Sequence, residues 1–429
     1  MDDALLDRFQ QAYRDLDLFP LLDADSIDKF RVNYGLDIAG RLKRDIQASA
    51  GNQKFVFAGH RGCGKSTLLK RLSVELGSDY AISFFSIADM VELSDISYVK
   101  VLFAIALALL SRATKQKIAV SDDIQQTILG WYSTQYKQTE STETKGELGI
   151  GGDFLNVISA RMQQEKSLRD EVERTFEKRV FELVGKMDRL AAAIQSATGQ
   201  TVLVIIDDLD KLDLSRVEPI FIENIKSLFA PQFRVIFTIP VAAIREPKVM
   251  GALNSVGIRR PRLLPVAKMF AKADRRDPKA EPIQKTLDRF LQMLNKRIPA
   301  ELIEPETARQ MVLYSGGVVR ELVRIGQESC LEQMVLLEEE PDREDKRIGS
   351  ESLAIAVKNL RNDFARQLGS DAYTLLAKVY QEAETEDAAD ETFVELLHGL
   401  MILEYENDDL WYDVHPLVQN LMRRKGLIE

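Results

Sequence analysis

Two short apolar runs, each broken off by a polar signature, organise the first half of this chain. Phe55-Val56-Phe57-Ala58 leads directly into Gly59-His60-Arg61-Gly62-Cys63-Gly64-Lys65-Ser66-Thr67, after which apolar residues recur at Leu68, Leu69, Leu72, Val74 and Leu76. That order predicts a strand over Lys54 to Ala58, a glycine-rich turn and a helix. The second run, Val202 to Ile206, shows no alternation and ends in Asp207 and Asp208. Unbroken runs of this kind predict a strand covered on both faces. Phe233 to Pro240 predicts a further core strand, and Pro247 to Asn254 a helix after it.

Between the second and third core strands, from about 113 to 200, the pattern indicates an insertion. The most apolar window of the chain, Val101 to Leu110, precedes it; Lys100 interrupts that window and Ser111-Arg112 stops it. A membrane span needs about 20 apolar residues, so a buried helix and no membrane partner are expected. Ser133 to Asp153 is polar and glycine-spaced, which reads as an exposed loop or hairpin. Phe176, Val180, Leu183, Met187, Leu190 and Ile194 then repeat at spacings of four and three, one face of a packed helix.

The last 59 residues predict a helix (Ala372 to Tyr380), an acidic loop (Glu382 to Glu391), a helix (Phe393 to Met401), strands Ile402 to Tyr405 and Leu410 to Val414 around Asn407-Asp408-Asp409, and a helix from Pro416. This is the order of a winged helix. Residues 371 to 429 hold 14 acidic and 4 basic side chains, a balance equal to the −10 of the whole chain, so the rest is formally neutral. Duplex DNA binding draws affinity from Lys and Arg on phosphates, which this module lacks apart from Lys378 and Arg423-Arg424-Lys425. A protein partner or an internal latch suits it better. Basic residues at Arg259 to Arg262 and Lys268 to Arg276 keep DNA open as an alternative.

The length of 429 residues suggests about three domains, and 45% apolar with 29% charged residues is an ordinary globular balance. The divisions expected are an N-terminal helical lead-in (1–50), an α/β core (51–270) carrying the insertion, a helical segment (271–349) and an acidic winged-helix-like domain (350–429). Cys63 and Cys330 are the only cysteines, and no basic, apolar leader opens the chain. Both observations point to a reducing, cytoplasmic setting. Three histidines offer no metal cluster.

The candidate chemistry lies in the two interrupted runs. Glycines 59, 62 and 64 let successive main-chain N–H groups turn toward one anion at a helix N-terminus. Gly59, His60, Arg61, Gly62, Cys63, Gly64, Lys65, Ser66 and Thr67 then form a phosphate-binding loop for ATP, with Lys65 reaching the β- and γ-phosphates and Ser66 holding Mg2+. Asp207 is the metal-side carboxylate, and Asp208 would polarise the attacking water. A buried strand running into an acidic turn is the competing reading, and Asp210 suits a capping role.

These residues resemble the AAA+ and STAND groups of additional-strand P-loop ATPases, and Asp-Asp-Leu-Asp-Lys is similar to STAND and KAP-type members. The resemblance spans about residues 25 to 330. It implies a three-layer α/β core with a mainly parallel sheet, a helical lid and a C-terminal winged helix. By the same resemblance Thr238 occupies a sensor-1 position, Arg259 or Arg260 an arginine-finger position that completes a neighbour's site in a homo-oligomer, and Arg320 a sensor-2 position after Gly316-Gly317. The competing readings are a strand threonine, a solvated basic loop and a surface arginine. A GTPase would want a base-reading Asn-Lys-x-Asp motif, yet Asn295-Lys296 is followed by Arg297-Ile298.

The function expected is an ATP-hydrolysing molecular switch, of the kind that serves bacterial signalling or defence, acting through a partner protein. Two alternatives stand beside it: a DNA-handling AAA+ ATPase of the origin-binding or transposition-regulator type, and a nucleotide-dependent regulator that does not hydrolyse.

Overall fold

A computed structural model describes residues 3–136, 152–384, 390–406 and 409–429. The chain divides into two compact units, each assembled from separated segments.

The unit formed by Asp37–Ala58 and Leu69–Leu263 contains the sheet. Its strands are β1 (Lys54–Gly59), β2 (Tyr80–Ser86), β3 (Thr201–Asp207), β4 (Arg234–Pro240) and β5 (Arg262–Leu264), in the order β2-β3-β4-β1-β5. The five strands are parallel. β2 sets Ser86 opposite Asp207 in register, and β3 sets Ile206 opposite Phe237 of β4. Every residue of β4 is buried, as are Val202 to Asp207 of β3. Both faces are covered, which is why these runs show no alternation.

Among the described residues, five α-helices separate β2 from β3: Tyr98–Lys115, Asp122–Tyr136, Gly152–Gln164, Lys166–Phe176 and Val180–Thr198. The first is the apolar window, and Val101 to Leu107 are buried in it. Lys100 is buried with them because its Nζ donates to the Asp95 carbonyl at 2.7 Å and pairs with Asp95 and Glu173 at 3.2 and 3.1 Å. Among the described residues no helix is long and apolar enough to cross a membrane. The six stripe residues from Phe176 to Ile194 are all buried. Their helix is not continuous, however, since a 3-10 turn at Glu177–Arg179 interrupts it. Of the polar stretch expected as a loop, 137–151 lies outside the described residues, while Ser133 to Tyr136 and Gly152-Asp153 belong to helices.

The second unit joins Met1–Leu36, Gly59–Leu68 and Leu264–Glu429. Its long helix Val319–Glu339 packs against Asp3–Asp15 and against Ser350–Gln367. Where this helix begins, Gly317 has φ +85°, and a Cβ there would stand 1.7 Å from the Ala267 carbonyl oxygen. Only glycine fits. Beyond it come helices Ser370–Glu382 and Glu391–His398, the antiparallel hairpin β6 (Ile402–Glu406) and β7 (Leu410–Val414), and a last helix Pro416–Arg424. This is the winged-helix-like order expected, with 385–389 and 407–408 outside the described residues. His415 caps the last helix, its Nδ1 accepting from Leu417 N–H at 3.2 Å, and Pro416 takes the first helical position, where a missing N–H costs nothing.

Candidate functional site

In the unit that carries the chain's two ends, the glycine-rich loop leaves β1 and enters helix Lys65–Glu75. Gly62 and Gly64 have φ of +81° and +91°, the left-handed backbone such a turn demands. The Lys65 ammonium, 4% exposed, donates to the carbonyls of Gly59 and His60 at 2.8 and 2.7 Å. Thr67 Oγ1 accepts from Leu21 N–H at 3.2 Å, so the N-terminal segment also reaches the loop.

The loop is bonded to the start of helix Val319–Glu339 and to the C-terminal module as well. Arg320 N–H donates to Gly62 O at 3.0 Å, and a Cβ on Gly62 would come within 2.5 Å of the Arg320 Cβ. His60 Nε2 accepts from Glu404 N–H on β6 at 2.9 Å. An Arg61 guanidinium N–H stands 2.9 Å from His398 Nε2 at the end of helix Glu391–His398. Arginine has no acceptor, so His398 must present an unprotonated Nε2 for this bond. None of these partners, His398, Glu404 or the N-terminal Leu21, carries a local sequence signal for its role.

In the sheet-bearing unit, the acidic end of β3 gathers three carboxylates. One oxygen each from Asp207, Asp208 and Asp210 lies within 4.8 Å of the others, an arrangement able to hold a divalent cation. Asp207 accepts from Asp208 N–H at 2.9 Å. Asp208 has φ +68°, a left-handed conformation that asparagine and aspartate tolerate better than other L-residues. Its carboxylate is aimed by Ser86 Oγ at 2.8 Å and by Lys211 at 2.8 Å. The register that sets Ser86 beside Asp207 was the available clue to this partner. Asp89 adds a further carboxyl, raised by its burial and next by the charge of Asp208.

Thr238 is fully buried; its Oγ1 accepts from Leu209 N–H at 2.9 Å and donates to Ile206 O at 3.2 Å. The hydroxyl thus fixes the turn that presents the acidic cluster. Arg259 and Arg260 are exposed and line a cavity of about 300 Å3 with Lys54 and Phe55, at the amino-terminal end of β1. Burial lowers Lys54 to about 8, and its ammonium donates to the carbonyls of Asn52, Pro231 and Phe233 at 2.6 to 3.0 Å.

A strand entering a glycine-turned amide loop with a buried lysine, in a chain whose parallel sheet also carries an acidic strand end, defines a P-loop NTPase domain. Residues 38–240 match the KAP family P-loop domain. No curated protein sequence matches the chain significantly. Among solved structures, Cdc6p of Pyrobaculum aerophilum is similar at 11% identity and a TM-score of 0.40, over 100% of this chain and 98% of that one. The Orc1 protein of Aeropyrum pernix, in complex with DNA, is similar at 12% identity and a TM-score of 0.40, over 95% and 96%. Drosophila ORC bound to DNA gives 11% identity and a TM-score of 0.34, over 96% and 91%.

Proposed function

We propose that the chain is an ATP-binding and ATP-hydrolysing switch of the AAA+/STAND kind, whose nucleotide state is passed to the lid and the winged helix and from there to a partner protein. The observation that carries this reading is that the phosphate loop is hydrogen-bonded both to the start of the lid helix, through Arg320, and to the winged-helix hairpin, through Glu404. A loop that must reshape around phosphates cannot do so without disturbing those bonds.

In this reading Lys65 leaves the two carbonyls it now holds for the β- and γ-phosphates. Ser66 and Asp207 hold Mg2+, which supplies charge neutralisation on the phosphate oxygens. Asp208, oriented by Ser86 and Lys211, polarises the attacking water. Arg320 reports the γ-phosphate to the lid, and Arg259 or Arg260 serves a neighbouring copy. Thr238 acts by shaping the acidic turn.

The Lys268 to Arg276 part of the basic stretch that kept DNA open is largely committed internally. Lys272 pairs with Glu384, Arg275 donates to the carbonyls of Lys272 and Gln381, and Arg276 binds Asp413. The acidic winged helix therefore draws on these cations, which favours protein contact over duplex binding.

The test combines hydrolysis with a structural readout. Purified protein is expected to release phosphate from Mg-ATP, and ATP is expected to change protease cleavage within the C-terminal module. Absence of both, at protein concentrations high enough for assembly, sinks the reading. ATP binding with no release favours the non-hydrolysing regulator.

A further inference from the structure

A second cavity, of about 230 Å3, lies wholly within the unit that carries the chain ends. Its walls are the linker around Arg275 and Arg276, the end of helix Pro305–Tyr314, the β6–β7 hairpin and the last helix. The charge on those walls is the reverse of the module around them. Residues 371 to 429 hold 14 acidic against 4 basic side chains, yet three guanidinium groups, from Arg275, Arg276 and Arg423, line this space against a single carboxylate, Asp413. Arg276 takes up that carboxylate with both its terminal nitrogens.

Among the described residues Arg275 makes no direct ion pair, and it shares the charge of Asp413 with Arg276. Its terminal nitrogens donate only to main-chain carbonyls, at 2.7 and 2.8 Å, and its Nε is buried with no hydrogen-bond partner. Burial and then the neighbouring Arg276 disfavour its charge, and the charge of Asp413 offsets them only in part. A guanidinium in that position is stabilised by an arriving anion. Beside it stands a rigid aromatic wall: Tyr405 and Trp411 stack at 4.4 Å, and Tyr405 is pinned by its hydroxyl to Gly316 O at 2.9 Å.

We propose that this cavity is a binding site for a small organic anion, with one phosphate or carboxylate group at Arg275 and Arg423 and the remainder of the ligand in the space edged by Trp411. The volume lies below the ~300–1,000 Å3 of pockets for drug-sized ligands, so it fits a small ligand with one charged group better than a triphosphate. Gly316 and β7 are both walls of the site, so its occupant bridges the lid entry and the winged helix. It is therefore an effector site, and its existence does not depend on whether ATP is hydrolysed.

Calorimetric titration of the full chain with 5′-UMP and with nicotinate tests it, the first carrying a phosphate and the second a carboxylate. Saturable binding of at least one is expected, retained in Lys65→Ala and weakened about tenfold or more in both Arg275→Gln and Arg423→Gln. Arg423 is exposed, so its variant separates lost binding from lost folding. A response to UMP alone assigns a phosphate ligand, and to nicotinate alone a carboxylate. Binding of neither probe, binding abolished by Lys65→Ala, or binding left unchanged by Arg423→Gln overturns the proposal.

Discussion

The main-chain N–H of Glu404 donates to Nε2 of His60 at 2.9 Å, joining residues 344 positions apart in sequence and tying the wing to the phosphate loop. Both residues are buried, so the bond has no competing water. Replacing His60 by Ala leaves the Glu404 N–H unsatisfied at a cost of about 1–3 kcal/mol. A lower thermal midpoint is expected, with faster amide exchange over Ile402–Glu406. Unchanged exchange there would refute the coupling.

Asp208→Asn keeps the shape of the side chain and removes its charge. ATP turnover is expected to fall by about a hundredfold or more, with ATP affinity held within about threefold. Phosphate release and equilibrium binding on the same preparation check the two halves. Turnover at the wild-type rate in Asp208→Asn assigns the water-polarising role elsewhere.

Gly317→Ala is expected to be among the most damaging single changes, because its Cβ would lie 1.7 Å from the Ala267 carbonyl oxygen at φ +85°. Backbone must move, and a loss above about 3 kcal/mol follows. Gly426→Ala is the control: φ is +68° there too, but no atom stands within 4 Å of its Cβ. Strain alone, about 1–2 kcal/mol, is expected. Chemical denaturation of both variants measures the difference.

Burial holds His415 down to about 3, against an ordinary 6.5. Above pH 6.5 the ring is neutral in folded and unfolded chains and contributes no pH dependence. As pH falls from 6.5 toward 3 only the unfolded chain takes up this proton, so stability declines across that window, by about 2 kcal/mol at pH 5. His415→Asn retains a capping group and is expected to flatten the slope. Glu321, raised by burial, titrates in the opposite sense in both proteins and cancels in the difference. Urea midpoints of both proteins between pH 7 and 4 report it.

Arg259→Ala with Arg260→Ala removes the exposed cations beside Lys54. If they complete a neighbour's site, the double variant loses assembly induced by a non-hydrolysable ATP analogue and loses hydrolysis with it. Mass in solution, with and without the analogue, decides this. Unchanged mass and turnover remove the finger assignment.

Local pattern carried most of the fold. β7 spans Leu410–Val414 and the last helix begins at Pro416, as the alternation and the proline indicate, because such limits are set by neighbouring residues. The break at Glu177–Arg179 was hidden, since the apolar stripe keeps its phase across it. At the site, residue types named the loop and the acidic strand end. Sequence carried no sign of His398 or Glu404, because contacts between distant segments leave no periodicity. Nor did it show Thr238 spending its hydroxyl on the Leu209 turn, a matter of β3–β4 register.

The assignment of Gly59–Leu68 to the same unit as Met1–Leu36 and Leu264–Glu429 has a thermodynamic corollary. A ligand that grips this short segment borrowed from mid-chain lends its binding free energy to the extremities, by mass action. Nucleotide should then shield the carboxyl-terminal helix from melting more than its distance along the sequence suggests, and weakening that helix should in turn loosen the hold on nucleotide.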